Sequence, residues 1–166
     1  MSYTPKRKQK PSKLTVFEKA NNFASYVLLC TANPRVFRPD LYPNEKYKGD
    51  QIIAKELEEG DGETENIFIY LINKLRDTSD EIAVYAWLAN DIKVYTKGEA
   101  ERRLEYELTA ISACTKHVLY LSRAKRLCHI KGKKYRRWLA KVVEIQKELK
   151  AWYSSEKTRY QEFINN

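Results

Sequence analysis

Glycine and proline are scarce in this chain of 166 residues, five of each, and all five prolines (Pro5, Pro11, Pro34, Pro39 and Pro43) precede residue 44. A proline inside a helix removes a hydrogen bond and clashes with the turn before it, so a long proline-free remainder suits helices. No internal repeat and no alternating β pattern stands out. Cysteine is equally sparse. Cys30, Cys114 and Cys128 form no Cys-x-x-Cys pair and are odd in number, which argues against a disulfide framework or a zinc knuckle and for a reducing compartment. No stretch approaches the roughly 18 uninterrupted apolar residues of a membrane span, and the start MSYTPKRKQKPSK lacks the apolar core of a signal peptide. The expectation is a soluble, cytoplasmic protein with no membrane partner.

Enzyme motifs are missing as well. There is no GxxxxGK[S/T], GxGxxG or GxSxG, and His117 and His129 stand twelve apart without a carboxylate partner nearby in sequence. The simplest assignments are a surface position for His117 and a helix C-terminus for His129, where the dipole favours a cation. No Glu lies three residues before either histidine, so the inward Glu-x-x-His pairs of a di-iron bundle cannot form. Glu99, Glu101, Glu105 and Glu107 instead open a helix, at the end where carboxylates complement the dipole. A non-enzyme without cofactor, metal or catalytic residues is expected.

What is present is helical periodicity. Val16, Ala20, Phe23, Val27 and Cys30 step by four and three from a cap near Ser12 to Asn33-Pro34. A second helix over about 64–96 aligns Ile67, Leu71, Leu75, Ile82, Tyr85, Ala89 and Ile92, with Asp77-Thr78-Ser79-Asp80 as a kink and Gly98 as its stop. A third, about 99–129, carries Leu104, Leu108, Ile111, Val118 and Leu121. A fourth, about 133–163, carries Trp138, Val142, Ile145, Leu149 and Trp152, after a turn at Gly132. Four amphipathic helices on short links predict an all-α, antiparallel up-down-up-down four-helix bundle spanning 14–166. Residues 1–13 read as a disordered basic arm, since they hold no large aliphatic to offset the entropy of ordering. Residues 40–62 read as an acidic insertion between the first two helices, with QIIAKELEE as a short helix closed by Gly60.

Charge is unevenly spread over the chain's net +9. Lys116 to Lys141 holds ten Lys or Arg and no acid, whereas Asp40 to Glu65 holds nine acids and three lysines. A concentrated basic block attracts phosphate backbones, because each neutralised phosphate releases a condensed counterion. The candidate nucleic-acid-binding residues are Lys6, Arg7, Lys8, Lys10 and Lys13 in the arm, then Arg123, Lys125, Arg126, Lys131, Lys133, Lys134, Arg136, Arg137 and Lys141 at a hairpin tip. Helix C-terminal stabilisation accounts for Arg123 to Lys131 only; Lys133 to Arg137 open a helix, where the dipole disfavours them. Tyr135 and Trp138 sit among these cations; core packing is the leading role for both, with stacking on an unpaired base as the alternative for Tyr135. Cys30 and Cys114 are expected in the core, while Cys128, flanked by Arg126 and Lys131, has the setting of a lowered thiol pKa. The acidic segment is either plain solvation or a contact for a basic partner face.

These residues carry a resemblance. KLTVFEKANNFASYVLLCTANPRVFR is similar to the first helix of the four-helix-bundle proteins of ribosomal RNA intervening sequences, through Lys13, Leu14, Val16, Phe17, Lys19, Ala20, Pro34 and Arg35. The stretch from Ala110 to Trp152 resembles that family's final hairpin, including Val142, Val143, Glu144 and Ile145. The second helix lacks the Ile-Pro-x-Asn-Ile-Ala-Glu-Gly run of the ribosomal branch. The chain therefore looks more like the sister branch, the accessory variability determinant (Avd) of diversity-generating retroelements. That resemblance implies a homopentamer that binds RNA and DNA and associates with a reverse transcriptase in mutagenic cDNA synthesis. The ribosomal branch implies instead a structural protein–protein adaptor.

Overall fold

The computed structural model describes residues 13–32 and 62–161, which form four helices and, among the described residues, no strand. They are α1 (Lys13–Thr31), α2 (Gly62–Asp91), α3 (Lys97–Leu127) and α4 (Gly132–Arg159). Lys13, assigned to the arm from sequence, is the first residue of α1. The acidic stretch 40–61, with its expected short helix, and residues 1–12 lie outside the described residues.

Each helix packs on its neighbours in the chain, and α1 also packs on α4, so the four surround one core. On α1 the expected stripe is the buried one: Val16, Ala20, Phe23, Val27 and Cys30 are all inside. The same holds for Trp138, Val142, Ile145, Leu149 and Trp152 on α4. Fully burying one such aliphatic side chain contributes about 1.5–3 kcal/mol, so these two stripes alone supply a large part of the driving force.

The other two helices depart from the sequence reading. On α2, Phe68 rather than Ile67 turns inward, and Ile67 is 48% exposed. The Asp77–Asp80 run, expected to kink the chain, lies within an unbroken α2. Thr78 and Ser79 are buried there, because each hydroxyl donates to its own helix, to the Lys74 and Arg76 carbonyls at 2.7 and 2.8 Å. On α3 the inner face is rotated: Leu108 is 47% exposed and Ile111 and Val118 are half-buried. Leu104 and Leu121 of the expected stripe are buried, and the rest of the inner face is Ala100, Arg103, Glu107, Ala110, Ala113, Cys114, His117 and Ala124. Small residues explain this. Ala110 and Ala113 on α3, with Ala86 and Ala89 on α2, let these two backbones approach closely over the most extensive helix–helix contact of the bundle.

The turns obey cap chemistry more than glycine placement. Thr96 is the N-cap of α3: its hydroxyl accepts from the Glu99 amide while the Glu99 carboxylate accepts from the Thr96 amide, a complete capping box. Gly98, expected as the stop, sits inside the first turn of α3. At the other end of α3, Cys128 caps the helix through its amide on the Ala124 carbonyl. The next residue, His129, has φ 56°, the left-handed conformation in which helices commonly end. Gly132, expected as the turn, is the first residue of α4.

Candidate nucleic-acid interface

The C-terminus of α3 and the N-terminus of α4 bring the basic block of the sequence to one corner of the bundle. Arg123 and Arg126 on α3, and Lys131, Lys133, Arg136 and Arg137 around the start of α4, are exposed. Three further candidates are partly engaged by the fold. The Lys125 ammonium donates to the Ile130 carbonyl across the turn, as a lysine closing a helix does. Lys134 lies over the Tyr26 ring at 4.7 Å, and Lys141, itself exposed, approaches the same ring at 5.1 Å. Arg123 rests on Tyr120 at 5.6 Å. Of the arm candidates, Lys6, Arg7, Lys8 and Lys10 lie outside the described residues, and Lys13 is placed only by its backbone in α1.

The electrostatics of the α4 start are unusual. Its first turn contains no acid, and its N-cap, Lys131, makes no side-chain cap hydrogen bond. Four backbone N–H groups point outward at any helix start, together with the positive end of the dipole. Here they coincide with Lys131, Lys133 and Lys134, so amides and ammoniums of like sign converge on the same solvent. An anion docking at this corner meets both.

Tyr26 was not foreseen. It belongs to α1, flanks the buried stripe there, and packs edge-on against Trp138 of α4 with ring centroids 5.9 Å apart. Its face holds two lysines of α4 in place. Only the packing of α1 on α4 creates that arrangement; nothing in the local pattern of α1 signals it. Tyr135, which had a possible stacking role in the sequence reading, is half-buried against the core and lies 3.4 Å from the Ser122 hydroxyl.

Just beneath the corner, both histidine and tryptophan differ from a reactive pair. His117, expected at the surface, is completely buried. The Trp138 indole N–H donates to His117 Nε2 at 2.8 Å, and an indole nitrogen can only donate. The proton of His117 therefore sits on Nδ1, which donates to Thr78 Oγ1 at 2.8 Å, and Thr78 passes its own proton to the Lys74 carbonyl. Phe23 of α1 closes the layer edge-on at 5.0 Å. Burial pushes the His117 pKa down to about 3, so the ring is neutral at physiological pH. Both nitrogens are taken by protein partners, which leaves neither for a metal or a substrate.

Cys114 is buried with its thiol pushed up to about 12 by burial, and Cys30 is in the core as expected. Cys128, expected in a setting that activates a thiol, is also buried, because the α3 cap carries its side chain inward. Glu107 is another correction: instead of serving the dipole, it is buried beside Arg103 and Glu156. Among the described residues no group of three or more His, Cys, Asp or Glu is placed to hold a metal ion, and no helix is long and apolar enough to cross a membrane.

No family model matches the chain, and searches of curated proteins and of solved structures find no match either.

Proposed function

We propose that the protein is a non-catalytic, nucleic-acid-binding accessory subunit of the Avd type, cytoplasmic, which holds RNA and DNA beside a reverse transcriptase during mutagenic cDNA synthesis. The single observation that carries this reading is the exposed cation cluster at the α3–α4 corner, built around a helix start with neither an acid nor a side-chain cap. Such a start is unfavourable by itself, and a bound polyanion supplies the missing negative charge. An up-down-up-down order of helices suits this role, since it sets the basic end of α3 beside the basic start of α4. The cross-helix partners run in opposite senses along two of the neighbouring pairs: Tyr70 with Tyr120 and Tyr85 with Tyr106 between α2 and α3, then Ser122 with Tyr135 and Arg103 with Glu156 between α3 and α4. In a homopentamer, five chains of +9 pool a charge on the order of +45, a strong field for template RNA.

The test is a gel-shift salt series with the purified protein and single-stranded RNA. Affinity is expected to fall by orders of magnitude between low and physiological salt; an affinity that stays flat sinks the proposal. Arg136→Glu with Arg137→Glu separates it from the adaptor reading. Loss of RNA binding supports the nucleic-acid role, whereas intact RNA binding with loss of the protein partner in pull-downs supports the adaptor. Light scattering that shows a clean monomer across micromolar concentrations removes the pentamer.

A further inference from the structure

The contact between α1 and α4 is the least extensive of the four between neighbouring helices, and a groove of about 270 Å³ opens along it. Phe23 and Ile145 form its apolar floor; Lys19, Asn22, Lys141 and Glu144 form its walls. This volume falls near the lower end of ligand pockets, about 300 Å³, and suits one flat ring system. The groove adjoins the basic corner. Along α4, Lys133, Arg137 and Lys141 follow one another at one-turn spacing, about 6 Å of rise each, and all three are exposed. A flexible strand with its phosphates on this row arrives at Lys141 with a base beside the groove mouth.

Resting on the nucleic-acid reading above, we propose that this groove receives one unpaired base of a single strand, and that it selects a base with an exocyclic amino group. A duplex cannot deliver such a base, because its bases are stacked inside. An apolar floor accepts the face of any base, so selection falls to the polar edge. The Glu144 carboxylate accepts a hydrogen bond from the Lys19 ammonium at 2.9 Å and, with no proton to give, has lone pairs left for a donor. Cytosine and adenine present an amino group there. Uracil has no amino group: its one edge donor, the ring N3–H, lies between two carbonyl oxygens that the carboxylate repels. The Asn22 amide, on the opposite wall, both donates and accepts and so complements the neighbouring ring nitrogen. Lys19 keeps its second carboxylate partner, Glu148, so the walls stay in place when Glu144 is altered.

The experiment compares full-length wild type, Glu144→Ala and Arg137→Ala for binding to short RNA homopolymers of C and of U, and to a duplex, at one low salt concentration. Wild type is expected to bind the C strand about fivefold more tightly than the U strand, the low end of what one correct base contact discriminates. Glu144→Ala is expected to bring that ratio to one while keeping or raising overall affinity, since a negative charge has left. Arg137→Ala is expected to weaken both strands equally and preserve the ratio. Circular dichroism checks that each variant keeps its helices; both altered residues are exposed. Equal binding of C and U by wild type, or a ratio that survives Glu144→Ala, overturns the base-reading groove and leaves the nucleic-acid role standing. Absence of binding to all three nucleic acids overturns that role, and the groove with it.

Discussion

The two ends of the bundle treat the same residue types in opposite ways. At the end where α3 starts, Arg103 is buried to 5% exposure, with its guanidinium 3.2 Å from Glu156, 3.6 Å from Glu107, 5.6 Å from the centre of the Trp152 ring, and donating to the Ile92 carbonyl at 2.8 Å. Arg103, Glu107 and Glu156 are turned inward there, and the cation is set between the two carboxylates. At the end where α4 starts, Arg136 and Arg137 point to solvent, and no acid occurs in the first turn. The helix starts repeat the contrast, since α3 has a complete capping box and α4 has no side-chain cap. One end is built for stability. The other gives up stability that common substitutions would restore, a loss that the proposed binding of a polyanion offsets.

The sharpest way to break this comparison is Arg103→Met. Removing one partner of a buried ion cluster leaves carboxylates inside the core and is expected to cost about 3–5 kcal/mol, read from the shift of the denaturant midpoint. A cost below about 1 kcal/mol would mean that the quiet end is no more tightly organised than the basic one. Next in size is Trp138→Phe, which removes the donor to His117 Nε2 and is expected to cost about 1–3 kcal/mol with RNA binding little changed.

His117 adds a pH dependence. Its folded pKa, about 3, lies below the ordinary value of 6.5, so below 6.5 the unfolded chain binds the extra proton. Stability is fully present above pH 6.5 and falls by up to about 1.4 kcal/mol per unit as pH drops toward the folded value. Denaturant midpoints between pH 7 and 5 check this, above the range in which most carboxylates titrate. The decline is expected to flatten in His117→Phe, whatever that variant's absolute stability.

Thr96→Ala should cost about 1 kcal/mol by undoing the capping box. It should also cost the Glu99 carboxyl its depressed pKa, which arises from hydrogen bonds with the Tyr95 amide first and the Thr96 side chain next. The smallest effect has the opposite sign. Lys131→Asp places an N-cap acceptor where α4 has none and is expected to stabilise by up to about 1 kcal/mol while weakening RNA binding. Stabilisation without loss of binding would detach the bare cap from function.

Much of the fold was legible because α1 and α4 bury large apolar residues. Phe23, Val27, Trp138 and Leu149 mark their own faces, and helical spacing is enough to read them. On α3 the same rule held for Leu104 and Leu121 but failed for Leu108, which stays half outside while Ala110 and Ala113 go in. Periodicity weighs size and hydropathy; close helix contact selects for smallness. The basic corner was visible as a run of charge, but which of its cations are exposed and which serve Tyr26 or the Ile130 carbonyl was not.

By itself, then, the sequence determined that the chain is helical, where the helices lie to within a few residues, and that positive charge gathers around one hairpin. Local hydrogen bonding, proline placement and charge order are properties of neighbours along the chain. Only tertiary structure decided that His117, Arg103, Glu107 and Glu156 lie inside and that Lys141 and Glu144 face Lys19 and Asn22 across a groove. A polar side chain is buried only if partners on other helices satisfy it, and those partners are distant in sequence.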